Sequence, residues 1–346
     1  MKIEALLARY PRVRLTPLPT PLFYMRGLSE FLGGPRIYVK RDDIGSLAFG
    51  GNKTRKLEFV MAEAVSQGAD VVVTLGGVQS NWVRQTISAA RMLGMDAVAV
   101  LEGDEPEIAQ GNLLLDRLMG ARLIFRPGIT QAEEDGEIAS KFPITGPVAD
   151  ELRAEGKRPF LAPLGGATPI GNLGYLAMAG ELLDQLAEQE IPATRIVLGT
   201  GTGGTQAGMA LGLRIAQSGI RLSGISVSRH TRPKEEEIAA FCNASMAFYG
   251  LGERFSPADI DVNYDYVGAG YGDATPEAVE AVRLAARLDG LILCHTYAGK
   301  ALAGLIGEVR NGRYAKDETI VFVHTGGGVA DFAHGELYLE GPRKRD

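Results

Sequence analysis

The run FGGNKTRKLEF, Phe49 to Phe59, places Lys53, Arg55 and Lys56 directly behind a Gly-Gly-Asn turn. Cations at a loop-to-helix junction can face solvent, hold an anion, or supply a free amine. Lys53 sits where the positive end of a helix dipole lowers a lysine's pKa towards reactivity. The plain alternative is a lysine snorkelling from a basic first turn. A second run, RIVLGTGTGGTQAGMALGLRIA (195–216), reads as a strand, a glycine loop and an amphipathic helix. Such a loop leaves N–H groups free at a helix N-terminus, where an anion is favoured. Thr200, Thr202 and Thr205 add hydroxyl donors. Glycines for tight strand–helix packing are the plain reading, but threonines among four glycines suit a phosphate monoester better. No Gly-Lys-Ser/Thr follows, so the loop is not a Walker A loop. No acidic residue about 20 positions on completes a dinucleotide fingerprint.

A phosphate on this loop could belong to a nucleotide, a sugar phosphate or pyridoxal phosphate. The last needs a lysine that loses its proton and forms a Schiff base, and Lys53 is the candidate. Strand ends must carry these residues. DVVVTL (70–75), AVAVL (97–101), RLIF (122–125), RIVLG (195–199), SGISV (223–227) and TIVFVH (319–324) read as buried strands. Leu57, Val60, Met61, Ala64 and Val65 recur on one helical face, which Gly68 stops. A further helix starts near Ser80, buries Val83, Ile87 and Ala90, and ends at Gly94. Strand–helix alternation implies parallel sheets with helices on both faces, and ligands in the crevice outside the carboxyl strand ends. Residues 126–160 are polar and irregular and read as a crossing between two lobes.

The bulk numbers agree with a large enzyme-like chain. Its 346 residues allow about two domains, and 45% hydrophobic with 23% charged residues fits a soluble globular protein. A net charge of −6 argues against nucleic acid as a partner. Two cysteines, Cys242 and Cys294, make neither a disulfide framework nor a metal pair. His230, His324 and His334 lack metal-ligand spacing, so no metal is expected. No apolar h-region and no spanning run are visible, which points to the cytoplasm and away from a membrane. Glycine stands out at 45 residues, about double the usual share.

FGGNKTRKLEF, followed after a strand by GGVQSNWVRQT, resembles the pyridoxal-phosphate enzymes of the tryptophan-synthase β fold. The branch it resembles is the D-cysteine desulfhydrase and 1-aminocyclopropane-1-carboxylate (ACC) deaminase family. The likeness runs from PTPLF (20–24) and KRDD (40–43) through PLGGATPIGNLGY (163–175) to VFVHTGG (321–327). It implies an α/β, two-domain, fold-type-II enzyme with open twisted, mostly parallel sheets. Residues 1–53 and 164–346 would form the large cofactor-binding domain and 54–163 the small one. Lys53 would hold the cofactor as a Schiff base. Asn81 would hydrogen-bond its phenolic oxygen, and Ser80 with the N–H groups opening that helix would hold the substrate carboxylate. Thr202, Gly203, Gly204 and Thr205 would cup the phosphate. Tyr271 in GAGYG and Tyr297 in HTYAGK match the family's two active-site tyrosines, whose pKa a nearby protonated Schiff base would lower. A homodimer acting on a small amino acid is the family expectation.

Departures from the family pattern bear on substrate. Deaminases look like VYEGK, with a glutamate facing the pyridine nitrogen; this chain has Ala298. Desulfhydrases resemble VHTGG where deaminases show AHLGG; this chain has Thr325. A threonine hydroxyl leaves the ring nitrogen nearly neutral, which suits α-proton removal with prompt loss of a β group. GGATPIG (165–171) leans the same way. QSNWVRQ puts Trp82 where a polar side chain usually stands beside the carboxylate site. Cys294-His295-Thr296-Tyr297 replaces the usual DPVY. His295 could bind an anionic β-substituent, assist proton transfer, or pack as a core histidine. The resemblance thus implies β-elimination from a small β-substituted alanine, D-cysteine first and L-cysteate second. ACC deamination, a racemase of the same fold, and a phosphate-binding regulator without catalysis are the alternatives.

Overall fold

The computed structural model describes residues 3–128, 144–228 and 233–339. Residues 129–143 of the expected interlobe crossing, and His230, lie outside them.

Among the described residues ten strands form two sheets. Strands β1 (Leu22–Tyr24), β2 (Arg36–Arg41), β7 (Arg195–Thr200), β8 (Arg221–Ser226), β9 (Asp261–Asn263) and β10 (Thr319–His324) build the larger, in the order β1-β2-β10-β7-β8-β9. Only β1 runs antiparallel, against β2. The smaller sheet is β5-β4-β3-β6, made of β3 (Val71–Gly77), β4 (Asp96–Glu102), β5 (Arg122–Arg126) and β6 (Pro159–Leu161). All its pairings are parallel. Sheets covered on both faces need strands that are apolar throughout. Thus TIVFVH is buried at every position, and the first six residues of β3 are buried too. All six strands read from sequence are present. Strands β1, β2, β6 and β9 were not anticipated. Three of them span three residues each, and β2 carries three cations in RIYVKR.

The helix Lys53–Ser66 packs on two cores. Leu57, Val60, Met61 and Ala64 meet Val72 and Ile87 beside the small sheet, while Phe59 meets Leu173 and Leu176. The helix Pro169–Glu188 approaches it so closely that a Cβ on Gly174 would lie 2.4 Å from the Arg55 carbonyl oxygen. Arg55 and Lys40 are buried, and their charges are answered locally. Arg55 donates to both oxygens of Asp42 and both of Glu181, and Lys40 donates to Glu181 and Gln185. Burial opposes ionisation of Glu181, but the two cations outweigh it and hold its pKa at about 2. This paired cluster fastens the Lys53 helix to β2 and to the helix Pro169–Glu188. No helix among the described residues is long and apolar enough to cross a membrane.

Candidate active site

Lys53 is the first residue of its helix, behind Gly50 at φ 69° and Gly51 at φ 126°. Ala48 (φ 42°) and Phe49 (φ 72°) are also left-handed, although neither is glycine. Each such residue costs on the order of 1–3 kcal/mol unless its surroundings over-determine it. Here they do. The buried Arg84 donates to the Ala48 carbonyl and, at 3.0 Å, to that of Gly50. Gln85 accepts from the Thr54 amide and hydroxyl, each at 2.9 Å. A Cβ on Gly51 would lie 2.6 Å from the Gln85 amide nitrogen, so that position must be glycine. The motifs GGNKT and NWVRQ therefore interlock. Among the described residues none gives Lys53 a hydrogen bond or ion pair, and burial lowers its pKa to about 8.

Asn52 joins Lys53 to two other walls. Its amide donates to the Thr325 carbonyl at 3.0 Å, and its side chain donates to the Thr205 hydroxyl at 3.1 Å. Thr205 lies in the first turn of the helix Gly204–Ile215, entered through Gly203 at φ 82°. Lys56, one turn along from Lys53, is fully buried and donates to the Gly165 carbonyl at 3.0 Å. A Cβ on Gly204 would lie 2.9 Å from Lys56 Nζ, so the ammonium stands at the mouth of this cup. Burial first, then the charge of Lys53, push its pKa well below the ordinary lysine value. The buried Thr200 hydroxyl has no hydrogen-bond partner among the described residues. A cradle of helix amides, orphaned hydroxyl and unanswered ammonium fits a phosphate dianion. Lys56 was not assigned chemistry from sequence; its partners lie far along the chain.

Ser80 caps the helix Asn81–Met92, its hydroxyl accepting from the Val83 amide at 3.3 Å. That cap is worth about 1 kcal/mol, and it leaves the helix N-terminus available to a carboxylate. The Asn81 side-chain oxygen accepts from Asn112 at 3.1 Å and Arg84 at 3.3 Å. Its amide nitrogen is thereby directed outward as a donor, 3.2 Å from where a Cβ on Gly327 would be. Behind this pair Asp116 is buried, and neither carboxylate oxygen has a hydrogen-bond partner among the described residues. Burial raises its pKa to about 8, against the pull of Arg84. Trp82 departs from expectation. Only 2% exposed, it lies in the small-lobe core and gives its indole N–H to Thr74 at 2.8 Å. Its ring backs Gly166, so it forms a wall behind that loop.

Tyr297 lies in a π-helical turn, His295–Gly299, and its hydroxyl is hydrogen-bonded to that of Tyr271. Although 54% of Tyr271 is exposed, burial of its hydroxyl end raises its pKa. Burial and then the charge of Tyr271 raise Tyr297 well above the ordinary phenol. These shifts come from the protein's own groups, and the expected lowering would be the work of a Schiff base beside them. His295 faces away from an anion-binding role. Its ring nitrogen Nδ1 lies 2.9 Å from Asp331 and its amide donates to the same carboxylate at 3.1 Å, which Tyr338 also engages. It fastens the chain's last described segment, matching the core-histidine reading. Ala298 is buried in the core cluster around Ile320 and Phe322, and Thr325 is buried directly after β10.

Residues 13–326 match the family model of the pyridoxal-phosphate dependent enzymes. A D-cysteine desulfhydrase of Salmonella typhi is 38% identical over 333 residues, 95% of this chain and 97% of its own. A Pyrococcus abyssi protein with a provisional ACC deaminase name is also 38% identical, over 98% of both chains. Among solved structures, an ACC deaminase homologue superposes with TM-score 0.84 at 38% identity, over 97% of this chain and 98% of that one. A threonine deaminase of Solanum lycopersicum, 16% identical, shares the fold with TM-score 0.65 over 97% of this chain and 87% of its own.

Proposed function

This chain belongs to the pyridoxal-phosphate-dependent enzymes, and from that premise we propose that it is a lyase removing the β-substituent of a small β-substituted alanine. The cofactor, when bound, supplies the electron sink for carbanion chemistry. The chain's own residues supply the rest. Lys56, Thr202, Thr205 and the amides from Gly203 onward hold the phosphate. The Asn81 amide would hold the cofactor's phenolic oxygen, and Thr325 would stand at its ring nitrogen. Ser80 and the first turn of its helix hold the substrate carboxylate. Lys53 Nζ takes the α-proton. The phenols of Tyr271 and Tyr297, held protonated by their surroundings, donate a proton to the departing group.

One observation carries the reading: the two positions that would distinguish a ring-opening site hold Thr325 and Ala298, both buried and neither a carboxylate. Neither side chain would protonate the ring nitrogen. His295 further favours D-cysteine over L-cysteate, because an imidazole paired with Asp331 is a poor receptor for a sulfonate. D-cysteine and water would yield pyruvate, ammonia and hydrogen sulfide. The test is a keto-acid assay with purified holoenzyme across both enantiomers of cysteine, cysteate, serine and β-chloroalanine, with ACC alongside. Pyruvate from D-cysteine should form fastest. Faster 2-oxobutyrate from ACC overturns the branch, and enantiomer exchange without keto acid makes the chain a racemase.

A further inference from the structure

Lys300 opens the helix Lys300–Arg310, three positions after Tyr297. Its side chain is buried, with 0% of the residue exposed. The helix runs straight on from the π-helical turn that carries Tyr297, and no ion pair to a described carboxylate holds the buried ammonium. Its ammonium instead donates to three main-chain carbonyls: Val267 at 2.7 Å, Gly270 at 2.8 Å and Val227 at 3.4 Å. Two of these belong to the loop that presents Tyr271. The third follows β8, and the Val227 amide donates to the Thr200 carbonyl at 3.0 Å, at the base of the phosphate cup. The loop itself has little intrinsic shape. Gly268, Gly270 and Gly272 all have positive φ, at 70°, 158° and 77°. On its far side Asp273 accepts from the Ala269 amide at 2.7 Å.

We propose that Lys300 is a positioning residue that sets the Tyr271 phenol against Tyr297, its ammonium tying the Tyr271 loop to the strand end below the phosphate cup. The three carbonyls hold the buried ammonium, and the charge of Asp273 on the same loop favours it as well. One side chain thus fixes both tyrosines: Tyr297 through the shared turn, Tyr271 through the loop. The proposal rests on the reading of these tyrosines as the proton-donating pair.

The test uses Lys300→Met, close in length but neutral and without a donor, and Lys300→Arg. Amide hydrogen exchange of residues 267–272 should accelerate at least tenfold in Lys300→Met, with the strands of the large sheet unchanged, and return towards the parent in Lys300→Arg. In the holoenzyme kcat should fall about 10²-fold, the scale of a roughly 1 Å misplacement, with KM little changed. Adding Tyr271→Phe to Lys300→Met should then cost far less than Tyr271→Phe costs the parent, because the two act as one unit. Should Lys300→Met not fold, Lys300→Gln, neutral but still a donor, must show the same accelerated exchange. Unchanged exchange at 267–272 in the folded variant overturns the proposal whatever happens to activity, as does full additivity with Tyr271→Phe. An unaltered rate for Tyr271→Phe alone overturns instead the assignment of Tyr271 to proton transfer.

Discussion

The amine wall and the phenol wall of this site are built in opposite ways. Around Lys53 every neighbouring residue is held by a distant motif: Gly50 by Arg84, Asn52 by Thr205 and Thr325, Thr54 by Gln85, and Arg55 by Asp42 and Glu181. Tyr271, by contrast, rides a glycine loop braced by Lys300 and Asp273, with 54% of its surface exposed. The amine is over-determined because its attack geometry is the same for any substrate. On the proposed function the phenol wall would admit the substrate and meet its leaving group, in keeping with its lighter hold. In this class of site the constant chemistry is clamped, and the variable chemistry is presented from a loop.

The largest expected effect comes from the clamped side. Lys53→Ala should lower kcat by on the order of 10³-fold or more, with loss of the visible absorbance of the bound cofactor. A variant that keeps both would break the contrast, since an alternative amine would then serve. Arg84→Met attacks the same wall from behind. It leaves the Ala48 and Gly50 carbonyls without their charged donor, and should lower stability by about 3 kcal/mol, read as a fall in the urea midpoint at unchanged m-value. Lys53 would keep its identity but lose its seat, so kcat should fall as well. A neutral outcome would mean the left-handed turn holds itself.

Asp116→Asn is the smallest and sharpens the outer layer. The carboxyl has its pKa raised from 3.8 to about 8 in the folded protein. The folded chain therefore binds more protons between these values, and parental stability should fall as pH rises through them. Asparagine removes that dependence. Parent and variant should differ least near pH 4 and most at pH 8, with the variant more stable there. Parallel denaturation curves at the two pH values check it.

The sequence made the framework legible wherever burial is two-sided. TIVFVH and DVVVTL could be read as strands because nothing polar interrupts them. Lys53, Asn81 and the glycine cup were legible as spaced motifs. What escaped were residues whose partners are remote in the chain. Arg55 and Lys56 looked like one basic patch, yet Arg55 ends among carboxylates while Lys56 ends at the cup, 109 positions from its carbonyl partner. Lys40 hid β2 behind a charge that Glu181 neutralises. Trp82 looked like a pocket residue until Thr74, eight positions earlier on β3, took its N–H. The tyrosine pair was found, but the sign of its pKa shift depends on burial, which no spacing reveals.

Asn52 makes three of the site's walls inseparable. A single residue spans the amine, the threonine of the cup and the backbone of Thr325, so these parts are not independent coordinates that drift apart one substitution at a time. A lineage can therefore alter the Tyr271 loop or the turn before Tyr297 without renegotiating how the cofactor is seated. The hinge between inheritance and novelty in this molecule is one asparagine side chain wide.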